Sequence, residues 1–140
     1  MIVLDTNVIS ELMRPAPDER VVQWLDLQSP ENVAVTAITV AEILFGIERL
    51  PEGKRRTTFA EAAASLFETE FSGRILPFDS HSAGFYAMEV ATAESQGKTV
   101  SMADAQIAGV CMSNDAALAT RNIRDFEAFP LNLINPWMDG

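Results

Sequence analysis

MIVLDTNV, residues 1–8, is the stretch of this sequence that decides the fold. Four apolar residues, followed by the carboxylate of Asp5 and two capping residues, predict a buried strand that ends and turns into a helix. In an open parallel α/β sheet, ligands bind at the carboxyl ends of the strands. Asp5 is therefore predicted to lie at the active edge of a sheet. A second interpretation is equally open at this point, because Asp5 is also a good N-cap residue for the helix that follows.

The rest of the chain alternates short apolar segments with helical patterns. Strands are predicted at 1–4, 33–36, 74–78, 116–120 and 131–134. Helices are predicted at 6–13, 18–29, 39–50, 54–71, 79–96, 101–114 and 122–129, the last as a short helix or a turn. Such alternation indicates parallel βαβ units with right-handed crossovers. No internal repeat or linker interrupts it, so we expect one α/β domain over residues 1–140.

Composition limits the classes of partner and the compartment. The chain has 20 acidic residues and 10 basic ones, which gives it a formal net charge of -10. A protein that binds a polyanion through charge alone would be basic, so either the partners are basic or a phosphate ligand arrives with cations. The single cysteine, Cys111, excludes an intrachain disulfide and fits a reducing compartment. Without a signal-peptide pattern or an apolar run of about 20 residues, we expect a soluble cytoplasmic protein that does not enter membranes.

Two further acids occupy positions that match the position of Asp5. Glu42 and Asp104 each lie near the start of a predicted helix, in a stripe of apolar neighbours. A carboxylate in such a stripe is costly unless it is paired or binds a metal. The competing interpretation is local capping, because Thr39-x-x-Glu42 matches a capping box and Ser101-x-x-Asp104 is close to one.

A fourth acid, Asp125, follows the loop that leaves the predicted strand ending at Thr120. As an isolated residue it is equally a solvated turn residue. We expect Asp5, Glu42, Asp104 and Asp125 to converge on one edge of the sheet. Several carboxylates stay ionised together only with cations, and oxygen-only ligands select Mg²⁺ or Mn²⁺. A Mg²⁺ site that activates water and neutralises a phosphate predicts phosphodiester hydrolysis.

Cationic, aromatic and methionine side chains give less specific signals. One basic cluster contains Arg49, Lys54, Arg55 and Arg56, and is either a solvated helix end or a phosphate-contacting patch. Arg121 and Arg124 are better placed for phosphate, because they lie beside Asn122 and Asp125, the candidates for a fourth site residue. Packing in the core or at an interface is predicted for Trp24, Phe45 and Phe67, and packing in the core for Met88, Met102 and Met112.

Four motifs together resemble a PIN domain. They are Leu4-Asp5-Thr6-Asn7-Val8, Ala37-Ile38-Thr39-Val40-Ala41-Glu42, Ala103-Asp104-Ala105-Gln106-Ile107-Ala108 and Ala119-Thr120-Arg121-Asn122. Their order and spacing extend over essentially the whole chain, to the closing Asn135-Pro136-Trp137, and are similar to the VapC and FitB type of toxin ribonuclease in type II toxin–antitoxin pairs. This resemblance implies a PIN-like three-layer αβα fold with a central parallel sheet of about five strands.

The resemblance also implies a metal-dependent endoribonuclease and its site residues. The catalytic residues would be Asp5, Glu42, Asp104 and Asp125, of which the first three would hold Mg²⁺, or Mn²⁺ in its place. This chain departs from the family at the fourth position, where FitB-like members often have aspartate in place of Asn122. Asn122 and Asp125 are therefore both candidates, with Asp125 favoured through a bound water. Thr6, Thr120 and Asn122 would orient the ligands or the water.

The partners implied by the resemblance are an RNA substrate, a second copy of the chain in a homodimer, and a cognate antitoxin with a basic segment. Two other functions stay open. One is a non-cleaving PIN-fold regulatory or nucleic-acid-binding scaffold domain. Asn122 favours this alternative, because it stands where FitB-like members often have aspartate. The other is a phosphoacceptor signalling domain, which would need a lysine near the closing strand, whereas no lysine follows Lys98.

Overall fold

Five parallel strands form one sheet in the computed structural model, which describes residues 1–138. The strands are β1 Ile2–Leu4, β2 Val33–Thr36, β3 Ile75–Leu76, β4 Ala117–Ala119 and β5 Leu133–Ile134. Their order across the sheet is β3-β2-β1-β4-β5, and every pairing is parallel. The chain thus builds outward from β1 on one side, then returns to pair β4 on the other. The strand order reverses between β1 and β4, which is where open α/β sheets bind ligands.

Seven α-helices connect and cover these strands in the described part of the chain. They are α1 Thr6–Leu12, α2 Glu19–Asp26, α3 Ala37–Glu48, α4 Lys54–Ala64, α5 Ser80–Ser95, α6 Met102–Ser113 and α7 Ile123–Phe126. A 3-10 turn, Pro30–Asn32, precedes β2, and a π-helical segment, Ser65–Glu70, continues α4. The order of elements agrees with the alternation read from the sequence. None of the helices over residues 1–138 is long and apolar enough to cross a membrane.

The sheet has a packed hydrophobic cluster on each face. Successive side chains of a strand point to opposite faces, so Leu4 of β1 packs with Val8 of α1 and Trp24 of α2. Val3, one residue earlier, packs on the other face with Ile107 of α6. The first cluster joins α1 to α4 and the second joins α5 to α7. This is the three-layer αβα arrangement that the sequence predicted.

The start of α3 differs from the sequence prediction by two residues. Thr36, not Thr39, is the N-cap: its hydroxyl accepts a hydrogen bond from the Thr39 N–H at 3.1 Å, and the helix begins at Ala37. The predicted Thr39-x-x-Glu42 capping box is therefore wrong. Both threonines are competent caps, and the one that directly follows the buried strand takes the role. Glu42 consequently lies in the second turn of α3, where no helix-start role remains for it.

Close approach of α5 and α6 depends on Gly109. A Cβ atom at this position would lie 2.7 Å from the Ser82 carbonyl oxygen and 3.3 Å from the Tyr86 nitrogen. Any larger residue would push the two helices apart. Because Asp104 lies on the first turn of α6, this packing also fixes where that carboxylate stands relative to the sheet.

Three apolar side chains predicted to pack, Phe45 in the core or at an interface and Met88 and Met102 in the core, are exposed. Phe45 is 63% exposed, because α3 buries Ile43 and Ile47, and Phe45 points away from that side of the helix. Met88 and Met102 are also exposed, so their assignment to the core was wrong. Trp24 and Phe67 are buried, as predicted.

Candidate active site

Asp5 is held at the point where the strand order reverses. It directly follows β1 and is only 5% exposed. Its Oδ2 accepts hydrogen bonds from Thr120 Oγ1 at 2.7 Å and from Asn7 Nδ2 at 3.3 Å, and its Oδ1 accepts one from the Thr6 N–H at 2.8 Å. Thr120 directly follows β4, the neighbouring strand. The ends of β1 and β4 therefore meet at this one carboxylate.

The carboxyl of Asp5 has a perturbed pKa. Burial raises the pKa to about 6, although the hydrogen bonds from Thr120 and Thr6 act in the opposite direction. The negative charges of Asp104 and Glu42 make smaller contributions in the same direction as burial, and the value of about 6 includes them. Capping alone does not explain this environment, because a capping carboxylate normally accepts from the second or third helical N–H and lies near solvent. Asp5 occupies the N-cap position of α1 and is also aimed into an acidic groove.

Glu42 reaches the same groove from α3. Its Oε1 accepts a hydrogen bond from Thr6 Oγ1 at 2.7 Å. Thr6 therefore contacts two of the acids, since its backbone N–H binds Asp5 and its hydroxyl binds Glu42. The residue that begins α1 thus ties the end of β1 to the middle of α3.

Asp104 enters the groove from the first turn of α6. Ser101 caps this helix, as the competing interpretation had it, with Ser101 Oγ accepting from the Asp104 N–H at 3.1 Å. Burial raises the pKa of the Asp104 carboxyl, hydrogen bonding with Ser101 opposes the rise, and the charges of Asp125 and Glu42 add to it. The carboxylates thus affect one another electrostatically.

One cavity of about 570 Å³ joins the three acids. Asp5, Glu42 and Asp104 line it, together with Asn122 and the cations Arg14 and Arg121. Asp125 does not line this cavity. It lines a neighbouring one of about 490 Å³ with Lys98 and Arg124, and Asp104 borders both. The predicted four-acid convergence is therefore realised for three acids, because α7 begins directly after Asn122 and carries Asp125 beyond Asp104.

Comparison with known proteins places this arrangement in a family. The PIN domain matches residues 2–130. The chain belongs to the PIN domain family. VapC ribonuclease Y4jK of Sinorhizobium fredii is 44% identical over 137 residues, which span 98% of each chain. Toxin FitB of Neisseria gonorrhoeae is 43% identical, with 99% of this chain and 100% of that protein covered. A solved structure of FitAB bound to a DNA fragment matches with a TM-score of 0.90 and 43% identity, covering 98% of this chain and 96% of that one.

The donor atoms of this PIN domain suit a hard divalent cation. Within residues 1–138, no three Asp, Glu, His or Cys side chains approach closely enough to form a ready-made metal-binding group. The chemistry of the groove nonetheless fits Mg²⁺ or Mn²⁺: its candidate ligands are all carboxylate oxygens, and two of them have raised pKa values. A cation in the groove would favour the ionised form of each acid. Asp5, Glu42 and Asp104 are the residues that would hold it.

Two residues important to the site's geometry are not among the predicted site residues. Asn7 bridges the two central strand ends, because its Oδ1 accepts from the Arg121 N–H at 3.2 Å while its Nδ2 donates to Asp5 and Thr120. Glu11 is buried and accepts from Arg14 Nη1 at 3.1 Å, which orients a guanidinium at the groove. The i, i+3 spacing of Glu11 and Arg14 is a detectable pattern, but it is common on helix surfaces.

The basic cluster behaves as a helix surface. Arg56 pairs with Glu48 at 2.8 Å, Arg49 lies over the Phe45 ring, and Arg55 lies over the Phe59 ring. Arg121 stacks on Trp137, with 5.0 Å between the guanidinium carbon and the ring centroid. That contact places Arg121 at the wall of the acidic groove and leaves the fork of donors available to a phosphate.

Proposed function

We propose that this PIN domain is a Mg²⁺-dependent endoribonuclease, active also with Mn²⁺, and the toxin of a type II toxin–antitoxin pair. The observation that carries the proposal is the environment of the Asp5 carboxyl group. A carboxyl group 5% exposed, with a pKa of about 6 and two further acids facing the same cavity, is an arrangement that calls for a divalent cation. The names of the similar proteins, a VapC ribonuclease and the FitB toxin, support RNA cleavage and the toxin role.

Asp5, Glu42 and Asp104 would hold the ion at the junction of β1, α3 and α6. When bound, it supplies a water of lowered pKa and neutralises negative charge on the scissile phosphate. The chain's own contribution is orientation. Thr120 and Asn7 fix one oxygen of Asp5, and Thr6 fixes the other while also binding Glu42. Such hydrogen bonds to ligand carboxylates set their direction and reduce the reorganisation needed on binding.

The RNA strand would run between the two cavities, across Asp104. Arg14 and Arg121 border the first cavity, and Lys98 and Arg124 border the second. In a chain of charge -10, cations on both sides of the acids would hold the phosphates that flank the cut. Asn122 faces the first cavity and would orient a water or a ligand. Asp125 would act from the second cavity, on Asp104 and through a bound water.

The proposed partners are an antitoxin and a second copy of the chain. The solved relative FitAB is a complex bound to a DNA fragment. A basic antitoxin segment is a suitable inhibitor, because a bidentate arginine can occupy the place of the cation between Asp5 and Asp104. A homodimer would cover exposed apolar side chains such as Phe45 and Leu44 of α3. Because its substrate is cellular RNA, we place its action in the cytoplasm.

Purified protein incubated with total RNA and Mg²⁺, followed by mapping of the fragment ends, tests the activity. We expect fragments that share a cleavage context, with Mn²⁺ able to replace Mg²⁺. Ca²⁺ should bind without supporting good turnover, because its coordination is looser. Protein carrying Asp104→Asn, purified in parallel, controls for contaminating nuclease. Equal fragmentation by that variant, or undiminished cleavage in excess EDTA, would reject metal-dependent catalysis by this chain.

A further inference from the structure

A line of threonine hydroxyls leads from the buried end of β2 to the carboxylate of Glu42. Thr36 and Thr39 are fully buried. Thr36 Oγ1 lies 3.5 Å from Thr39 Oγ1, Thr39 Oγ1 lies 3.0 Å from Thr6 Oγ1, and Thr6 Oγ1 lies 2.7 Å from Glu42 Oε1. The line therefore connects the interior of the sheet to a mostly exposed acid at the edge of the groove.

The direction of these hydrogen bonds follows from the number of protons. A hydroxyl has one proton to donate, and the proton of Thr6 is donated to Glu42, because an ionised carboxylate can only accept. Thr39 must then be the donor in its contact with Thr6. Thr36 is in turn the donor to Thr39, over the longest of the three distances. Donation along the line polarises each hydroxyl toward the carboxylate.

We propose that Thr39 is a positioning residue, which acts through the Thr6 hydroxyl to hold Glu42 in the acidic groove. The inference rests on the proposed function, since Glu42 is assigned there to the catalytic set. Thr39 touches neither the cavity nor any substrate atom, because it is fully buried behind Thr6. Its effect must therefore pass through the carboxylate that the Thr6 hydroxyl binds.

Glu42 depends on this contact because little else restrains it. The residue is exposed on the second turn of α3, and a glutamate there has many rotamers available. Thr6 without a donor behind it can rotate its hydroxyl and change partners. With Thr39 donating to the Thr6 oxygen, the Thr6 proton is left to point at Glu42. The capping bond from the Thr39 N–H to Thr36 is a separate contact and would survive loss of the Thr39 hydroxyl.

Replacement of the hydroxyl by a methyl group, Thr39→Val, tests the proposal, with Thr39→Ser as the variant that restores it. We expect Thr39→Val to lower kcat for RNA cleavage roughly 10-fold or more with little change in KM, as for other residues that orient metal ligands. Thr39→Ser should keep most of the wild-type rate. Thr92→Val is a matched control, because it makes the same change at a threonine of α5 that lines neither cavity and whose hydroxyl donates only to the Met88 carbonyl of its own helix.

A double-mutant cycle separates positioning from general destabilisation. If Thr39 acts through Glu42, adding Thr39→Val to Glu42→Gln should cause no further loss of kcat. An equal loss in both backgrounds, or a wild-type kcat in Thr39→Val, would overturn the proposal. Should Thr39→Val fail to fold, Thr39→Ala removes the same hydroxyl and takes its place in the cycle, and the same two results would overturn the proposal.

A crystal structure of a Thr39→Val variant gives a readout that does not need cleavage. We expect Glu42 Oε1 to leave Thr6 Oγ1, with the backbone of α3 unchanged. A Glu42 carboxylate still 2.7 Å from Thr6 in that variant, the distance found in the wild type, would reject positioning by Thr39. If the wild-type protein does not cleave RNA and Glu42 nonetheless moves in the variant, the proposed function fails while the positioning role stands.

Discussion

The two sides of the acidic groove are built differently. On the β1 side, Asp5 is buried and receives three hydrogen bonds, and Glu42 is tied to it through Thr6. On the α6 side, Asp104 is half-buried, is associated with its helix cap Ser101, and borders a second cavity. One side is preorganised by short contacts and the other is open to substrate and to charge. The groove thus combines a fixed set of carboxylates with an adjustable one, which would suit the proposed function, in which the site binds a cation and releases a long polymer.

The largest expected loss of RNA cleavage comes from substitution of Asp5, on the β1 side of the groove. Asp5→Asn should reduce RNA cleavage on the order of 1,000-fold or more, because it removes a ligand charge that nothing nearby replaces. The change is nearly isosteric, and the amide oxygen can still accept from Thr6, so the protein should fold. Asp104→Asn should have a similar effect on cleavage. Circular dichroism confirms folding, and wild-type cleavage by folded Asp5→Asn protein would overturn the metal assignment.

Inhibition by an antitoxin should depend on the same acids. If a basic segment of the partner fills the groove, we expect inhibition to be weakened by added Mg²⁺. The double variant Asp5→Asn, Asp104→Asn should bind the partner roughly 10-fold more weakly or worse, since charge-assisted contacts are lost. Calorimetry of the two proteins with purified antitoxin measures this.

The alternative to groove filling is a remote inhibitory surface. Equal antitoxin affinity in the double variant, with metal affinity untouched by the partner, would be evidence for it. The inhibitor would then act on the helices around 8–12 and 43–50, which border an apolar groove of about 240 Å³ that Met13, Ile43 and Ile47 help to line.

The buried carboxyl also predicts how stability changes with pH. The pKa of Asp5 is about 6 in the folded state against an ordinary value of 3.8, so the folded state binds the proton more tightly than the unfolded state. The free energy of unfolding without metal should therefore fall as the pH rises from about 4 to above 6, by roughly 3 kcal/mol from this group. Asp5→Asn should remove that part of the slope and be more stable than the wild type at pH 7. Urea unfolding at pH 5 and pH 7 in EDTA measures it, and a variant less stable than the wild type at both values would contradict the raised pKa of Asp5.

On the α6 side of the groove, RNA binding should depend on the cations that line the second cavity. Arg124→Ala should weaken RNA binding roughly threefold to tenfold and reduce the salt dependence of binding by about one unit of slope, as expected for one lost phosphate contact. Lys54→Ala is the matched control, because Lys54 lines neither cavity and begins α4. Equal losses in the two variants would mean that the basic cluster, and not the cavity beside Asp104, holds the RNA.

The parts of the fold predicted from sequence are those determined by local pattern. The apolar run before Asp5 and the β-branched run at 33–36 predict β1 and β2 because burial of short strands requires such residues. The cap of α3 was misplaced, because two threonines three residues apart satisfy the same rule and only the strand end decides between them. The contact of Thr39 with Thr6, 33 residues away in sequence, has no local signature. For a related reason the sequence left Phe45 between the core and an interface, since apolar spacing alone does not tell which side of a helix faces the core.

Local sequence pattern also fails to identify the fourth site residue. Substitutions at its two candidates, Asn122 and Asp125, should have the smallest effects on cleavage. Sequence spacing cannot tell whether Asn122 or Asp125 faces Asp5, because that depends on where α7 begins. The structure puts Asn122 at the cavity of Asp5 and Asp125 at the neighbouring one. We still expect Asp125→Ala to weaken cleavage more than Asn122→Ala, since a carboxylate adds charge to the cation site and an amide does not. The difference should be a few-fold, because Asp125 is exposed and water screens its charge. Cleavage rates at two salt concentrations test this: the Asp125→Ala effect should shrink at high salt, and a larger, salt-independent loss in Asn122→Ala would place the functional oxygen on the asparagine.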